Sequence, residues 1–141
     1  MPRYEARRVL PAPVEDVWAV LTEPARWPEW WPGLVRVDPS VRRALAPGAL
    51  WQLEGTERPS FRRSPQLGGS LLFLEVVPLR RIAFQLTGER AEVELDLEPV
   101  EEDVQTAAVL GVEAPRFGGL GRTFPSDALA KLAGLVRPAA Q

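Results

Sequence analysis

Residues 91–98 alternate without a break. Ala91, Val93, Leu95 and Leu97 fall on one side of an extended chain, and Glu92, Glu94, Asp96 and Glu98 on the other. That predicts a strand with one buried and one solvated face. Ile82, Phe84 and Leu86 share a face in the same way. The same period governs the chain after Gly33, and strands are expected over 34–43, 48–57, 70–77, 80–88, 90–98 and 103–113. Pro78-Leu79, Gly88-Glu89 and Glu101-Glu102 are the turn material of short hairpins. Residues 3–10 alternate more loosely and end at Pro11. As a strand they put either Arg7 or Arg8 on the face of apolar neighbours, unless a bulge intervenes.

Two stretches repeat apolar residues at helical spacing. Val14, Val17, Trp18 and Leu21 form one stripe, opened by Pro13, favoured by Glu15 and Asp16 in the first turn and stopped by Pro24. Leu129, Leu132, Ala133 and Val136 form the other, with Ser126 as the expected N-cap and Pro138 as the stop. The order is strand, helix, short helix, six strands in a meander, helix, on one domain spanning 1–141. An antiparallel sheet with one apolar face needs a cover, and the two amphipathic helices supply it. A strongly curved sheet around the last helix leaves a cavity between them.

Pro24-Ala-Arg-Trp-Pro-Glu-Trp-Trp-Pro-Gly33 holds three of the five tryptophans. Prolines 28 and 32 allow at most a short helix there. Within such a helix Trp27 and Trp31 are i, i+4 neighbours. They serve either as core plugs or as an aromatic wall for a flat ligand. Trp30 points away from their face, and its exposure would mark a partner or membrane contact.

The residue types that are missing narrow the chemistry. The chain has no His and no Cys, and Tyr4 is its one tyrosine. The usual general base at neutral pH is therefore absent, as are thiol chemistry, disulfides and the common zinc ligands. Any catalysis would fall to Asp, Glu, Arg, Lys131, water or a hydroxyl. No metal and no cofactor is expected. Net charge is −2, which argues against a nucleic-acid partner. No apolar run approaches the ~20 residues of a membrane span, so stable membrane insertion is not expected. The first residues lack a secretion-signal pattern, and a cytoplasmic location is expected. Sixteen of the 17 basic residues are Arg, Asn is absent and Pro numbers 15. That composition suits a thermophile, although a GC-rich genome gives the same bias.

The residues Ala12-Pro13-Val-Glu-Asp-Val-Trp18-Ala-Val-Leu21, followed by Trp27-Pro28 and Trp31-Pro32, resemble the opening of the START/Bet v 1-like superfamily. The nearest likeness is to its bacterial polyketide cyclase/dehydrase and lipid-transport branch. The order of elements agrees over nearly the whole chain. The resemblance implies an α+β helix-grip fold: a curved seven-stranded antiparallel sheet around a C-terminal helix, with two short helices after the first strand. It also implies a deep apolar cavity. Gly118, Gly119 and Gly121 depart from the long last helix of that family and would fray its first half.

Trp27, Trp31, Trp51, Phe73, Phe84, Leu95, Ala108 and Leu110 are the expected lining of the concave, ligand-facing side, with Leu53 beside them. A solid core would use the same residues. Glu92, Glu94, Asp96 and Glu98 suit a solvated strand face better than a hard-cation site. Arg62 and Arg63, in the long polar connection 57–69, either meet an anionic head group or keep a surface loop soluble. The expected function is binding or carriage of an apolar small molecule (lipid, polyketide or quinone-like) by a monomer or homodimer. The alternatives are a cyclase or aromatase using Arg or carboxylate groups inside the cavity, and a protein-interaction module centred on Trp30.

Overall fold

The computed structural model describes residues 3–31, 34, 36–37, 45–54, 70–87, 90–114 and 122–136. In chain order they form β1 (Arg3–Leu10), α1 (Val14–Leu21), a 3-10 turn (Pro24–Arg26), α2 (Trp27–Trp30), β2 (Arg36–Val37), β3 (Leu50–Glu54), β4 (Ser70–Val77), β5 (Arg81–Leu86), β6 (Ala91–Val100), β7 (Gln105–Glu113) and α3 (Phe124–Val136). The connection 57–69, with Arg62 and Arg63, and the glycines 118, 119 and 121 lie outside the described residues.

Six strands make one curved antiparallel sheet in the order β1-β7-β6-β5-β4-β3. Of the expected strand 34–43, the described residues show the two-residue β2, and 38–43 lie outside the described residues. β2 pairs Arg36 with Glu54 and Val37 with Leu53 at the edge of β3. In β4 the register shifts between Phe73 and Glu75, leaving Leu74 as an extra, exposed residue. Such a bulge bends its strand and sharpens the local twist.

No register shift occurs between β1 and β7. Arg8 therefore takes the inner face with Tyr4, Ala6 and Leu10, yet it is exposed. β1 is an edge strand, and the long side chain reaches solvent past the edge.

α1 begins after Pro13, whose extended backbone (ψ 157°) precedes the first turn. Its buried residues are Val14, Val17, Val20 and Leu21, whereas Trp18 is only partly buried. α3 starts two residues earlier than its expected Ser126 cap. Pro125 suits a first turn because its fixed φ matches the helix and its missing N–H would be unpaired there anyway. The Asp127 N–H donates to Thr123 O at 2.9 Å, which places Ser126 inside the turn. Both helices lie against the inner face of the sheet, and α2 contacts α3. One cluster of buried residues joins all these elements.

The β6–β7 hairpin turns through Glu101, Glu102 and Asp103, all at positive φ (52°, 55° and 71°). This is the left-handed region, which costs a residue bearing a Cβ roughly 1–2 kcal/mol.

Candidate functional site

The inner sheet face carries Trp51 and Leu53 from β3, Phe73 from β4, Phe84 from β5, Leu95 from β6, and Ala108 and Leu110 from β7. All are buried. In β6 the phase expected from alternation is the phase found: Ala91, Val93, Leu95 and Leu97 are buried. Under the β3–β5 part of this face sits the Trp-Pro stretch. α2 is a single turn, and the Trp31 N–H donates to Trp27 O at 2.8 Å before the chain leaves in extended form. Trp30 is i+3 from Trp27, a spacing that puts both rings on one side of a helical turn. Trp30 is 0% exposed, like Trp27, and Trp31 is 1% exposed. The expectation of an exposed Trp30 is therefore corrected, and with it goes the apolar patch that an interaction surface at this residue would need.

Trp27 is the hub of the aromatic cluster. Its ring centroid lies 4.9 Å from Trp30, 6.2 Å from Trp31, 5.6 Å from Trp51, 6.0 Å from Phe73 and 5.3 Å from Phe84. Most of these contacts are tilted or edge-to-face, the arrangement that ring quadrupoles favour. Trp31 carries the cluster across to α3, meeting Phe124 at 4.7 Å. Trp30 and Phe124 were missing from the expected lining. Phe124 was out of reach because the helix was expected to begin beyond it.

The polar ends of these rings are not alike. Trp27 Nε1 donates to Leu21 O at 3.0 Å, tying the cluster to the end of α1. The indole nitrogens of Trp30, Trp31 and Trp51 are buried and have no hydrogen-bond partner among the described residues. A buried donor without a partner costs about 1–3 kcal/mol. The other buried polar side chains among the described residues are satisfied. Thr106 Oγ1 donates to Ala12 O at 2.8 Å, and Ser70 Oγ donates to Gln52 Oε1 at 3.3 Å. Among the described residues no Asp, Glu, Lys or Arg is buried. The described interior thus offers hydrogen-bond donors and apolar surface, with no acid or base among its residues.

Charge is organised on the outer face instead. Arg81 Nε donates to Glu75 at 2.9 Å, its Nη1 bonds Asp96 at 2.8 Å, and its Nη2 lies 3.2 Å from Glu94. The hydrogen bonds to Glu75 and then Asp96 hold the Arg81 pKa above its ordinary value. Arg3 bridges Glu94 and Glu5, each at 3.3 Å, and its guanidinium fills the space above Gly111. Glu94 and Asp96 of the β6 carboxylate row are therefore ion-paired. Among the described residues no group of three or more carboxylates is arranged to hold a metal ion. A groove of about 430 Å³ opens on this outer side between Arg7 and Arg80, over Ala107 and Val109. Among the described residues no helix is long and apolar enough to cross a membrane.

The sequence model for activator of Hsp90 ATPase homolog 1-like proteins matches residues 11–121. The chain belongs to this family. It is thereby a member of the START/Bet v 1-like superfamily. Three solved structures show how widely the family fold is shared. Protein CV1439 from Chromobacterium violaceum superposes with a TM-score of 0.71 at 20% identity, covering 98% of this chain and 99% of that one. The Aha1 dimer from Colwellia psychrerythraea gives 0.62 at 15% identity, covering 96% and 93%. DynU16, from the dynemicin biosynthetic locus, gives 0.62 at 17% identity, covering 96% of this chain and 47% of that one. No functionally curated protein matches this family member.

Proposed function

We propose that this protein binds a hydrophobic small molecule of the lipid, polyketide or quinone-like kind between the inner sheet face and α3. Trp27, Trp31, Trp51, Phe73, Phe84 and Leu95 form its apolar surround, with Ala108 and Leu110 farther along β7. The observation that carries the reading is the set of three buried indole N–H groups without partners among the described residues. A plug selected for packing alone gains nothing from burying donors it leaves unsatisfied. Ligand pockets pair apolar walls with a few convergent polar groups. Membership of the START/Bet v 1-like superfamily supports the same reading.

A cyclase or aromatase needs an ionisable group at the ligand, and the described interior supplies none. The family description points to chaperone contact as another role, but with Trp30 buried that role finds no support at this residue. Native mass spectrometry of freshly purified protein, beside a denatured sample, tests binding. A small molecule held only in the native sample is the expected result. A bare chain whose melting temperature is unmoved by lipids and polyketides would overturn the proposal.

A further inference from the structure

We infer that the ligand is a neutral, flat, fused-ring molecule bearing carbonyl-type oxygens, held by indole N–H donors of Trp30, Trp31 and Trp51. The inference rests on the proposed binding of a hydrophobic molecule and adds what selects it.

Each of the three rings packs on Trp27, at centroid distances of 4.9, 6.2 and 5.6 Å. The three donor-bearing rings thus share one neighbour, in a single aromatic cluster. An indole N–H donates and cannot accept, so its natural complement is a ligand oxygen with free lone pairs. Charge is disfavoured. Among the described residues no cation is buried that could meet an anionic head group, and desolvating an unpaired carboxylate is expensive. A fatty acid is thus a poor fit and a quinone or aromatic ketone a good one.

The edge-to-face contacts say how such a molecule is admitted. A ligand must part at least one of them. Trp31 against Phe124 joins the α2 segment to α3, so it opens without breaking any sheet ladder. Trp30 and Trp31 stand at 85° to one another, and Trp27 and Trp51 at 83°.

The test uses the full chain labelled with nitrogen-15 and three probes on one frame: anthracene, 9,10-anthraquinone and anthraquinone-2-carboxylate. The five indole N–H signals are followed by NMR while affinities are measured by tryptophan fluorescence. Anthraquinone is expected to bind at least tenfold more tightly than anthracene and to move two or more indole protons downfield, leaving that of Trp27 in place. The carboxylate is expected to bind more weakly than anthraquinone. W51F is expected to narrow the gap between anthraquinone and anthracene, and the spectrum of the unmutated chain decides the matter if that variant does not fold. Equal binding of anthracene and anthraquinone with unmoved indole signals would refute recognition by the donors while hydrophobic binding stands. Tighter binding of the carboxylate would refute the preference for a neutral ligand. If no probe binds, this inference falls. The broader reading then falls with it only if native mass spectrometry also finds a bare chain.

Discussion

Trp31, just past α2, and Phe124, the first residue of α3, meet edge to face with centroids 4.7 Å apart. The contact is the aromatic link between the cluster under the sheet and the C-terminal helix. It joins segments more than ninety residues apart in sequence and helps fasten α3 over the interior, beside the buried Leu129, Leu132 and Val136. Phe124→Ala removes a buried ring and is expected to cost about 3 kcal/mol. Urea denaturation monitored by tryptophan fluorescence reads this directly. A loss below about 1 kcal/mol would mean that the helix is held by other contacts.

Trp27 and Trp51 offer a matched pair. Both are fully buried, but Trp27 Nε1 is hydrogen-bonded to Leu21 O and Trp51 Nε1 has no partner among the described residues. Trp→Phe at either site trims a similar volume. At 27 the change also breaks a buried hydrogen bond and strands a carbonyl, whereas at 51 it removes an unsatisfied donor. W27F is therefore expected to be less stable than W51F by about 1–2 kcal/mol. Paired denaturation curves check the difference, and equal losses would contradict it.

Arg81 is the cation shared by Glu75, Glu94 and Asp96. Its folded pKa is raised above the unfolded value, so its stabilisation is fully present below the unfolded pKa. That contribution is lost only as pH rises through the folded value, far into the alkaline range. Across neutral pH the arginine itself gives no pH dependence. Arg81→Met leaves three carboxylates facing one another. With solvent screening, the expected cost is about 1 kcal/mol at pH 7. The deficit should shrink at high salt, where the repulsion among the carboxylates is screened. Melting temperatures of both chains at low and high salt test this, and a deficit constant with salt would refute the electrostatic account.

The left-handed turn at Glu101, Glu102 and Asp103 should yield stability to glycine. Glu102→Gly relieves the Cβ clash but frees the unfolded chain, so the net gain is about 0.5–1 kcal/mol. Calorimetry is expected to show a melting temperature a few degrees higher. A lower one would mean that the Glu102 side chain makes a contact worth more than the strain.

How much of this was legible in the chain depends on whether a feature is local. The strict alternation of Ala91–Glu98 sets the phase of β6. Antiparallel pairing then carries that phase to Phe84, opposite Val93, and Leu110, opposite Leu95. The 3–10 strand matched its observed bounds, yet its Arg7/Arg8 ambiguity needed the strand order. Only an edge position lets Arg8 share the inner face and still reach water. Trp30 failed for a different reason. Its i+3 spacing from Trp27 already puts the two rings on one side of a helical turn, which the expectation of a separate face overlooks. The indole donors were beyond any sequence pattern. Whether a buried N–H finds a carbonyl depends on atoms from other elements, as Trp27 finding Leu21 O illustrates.

The pairing of β1 with β7 also sets a timetable. Arg3 is aligned with Glu113 and Leu10 with Thr106, so the first strand made has no ladder partner until the last strand exists. Contacts this distant in sequence slow folding, because the chain must close a long loop before any pairing repays it. At roughly 5–20 residues per second, β1 waits at least several seconds on the ribosome with its edge open. Until β7 emerges, β1 is therefore exposed to mispairing, and the sheet gains its β1 edge only after that late pairing.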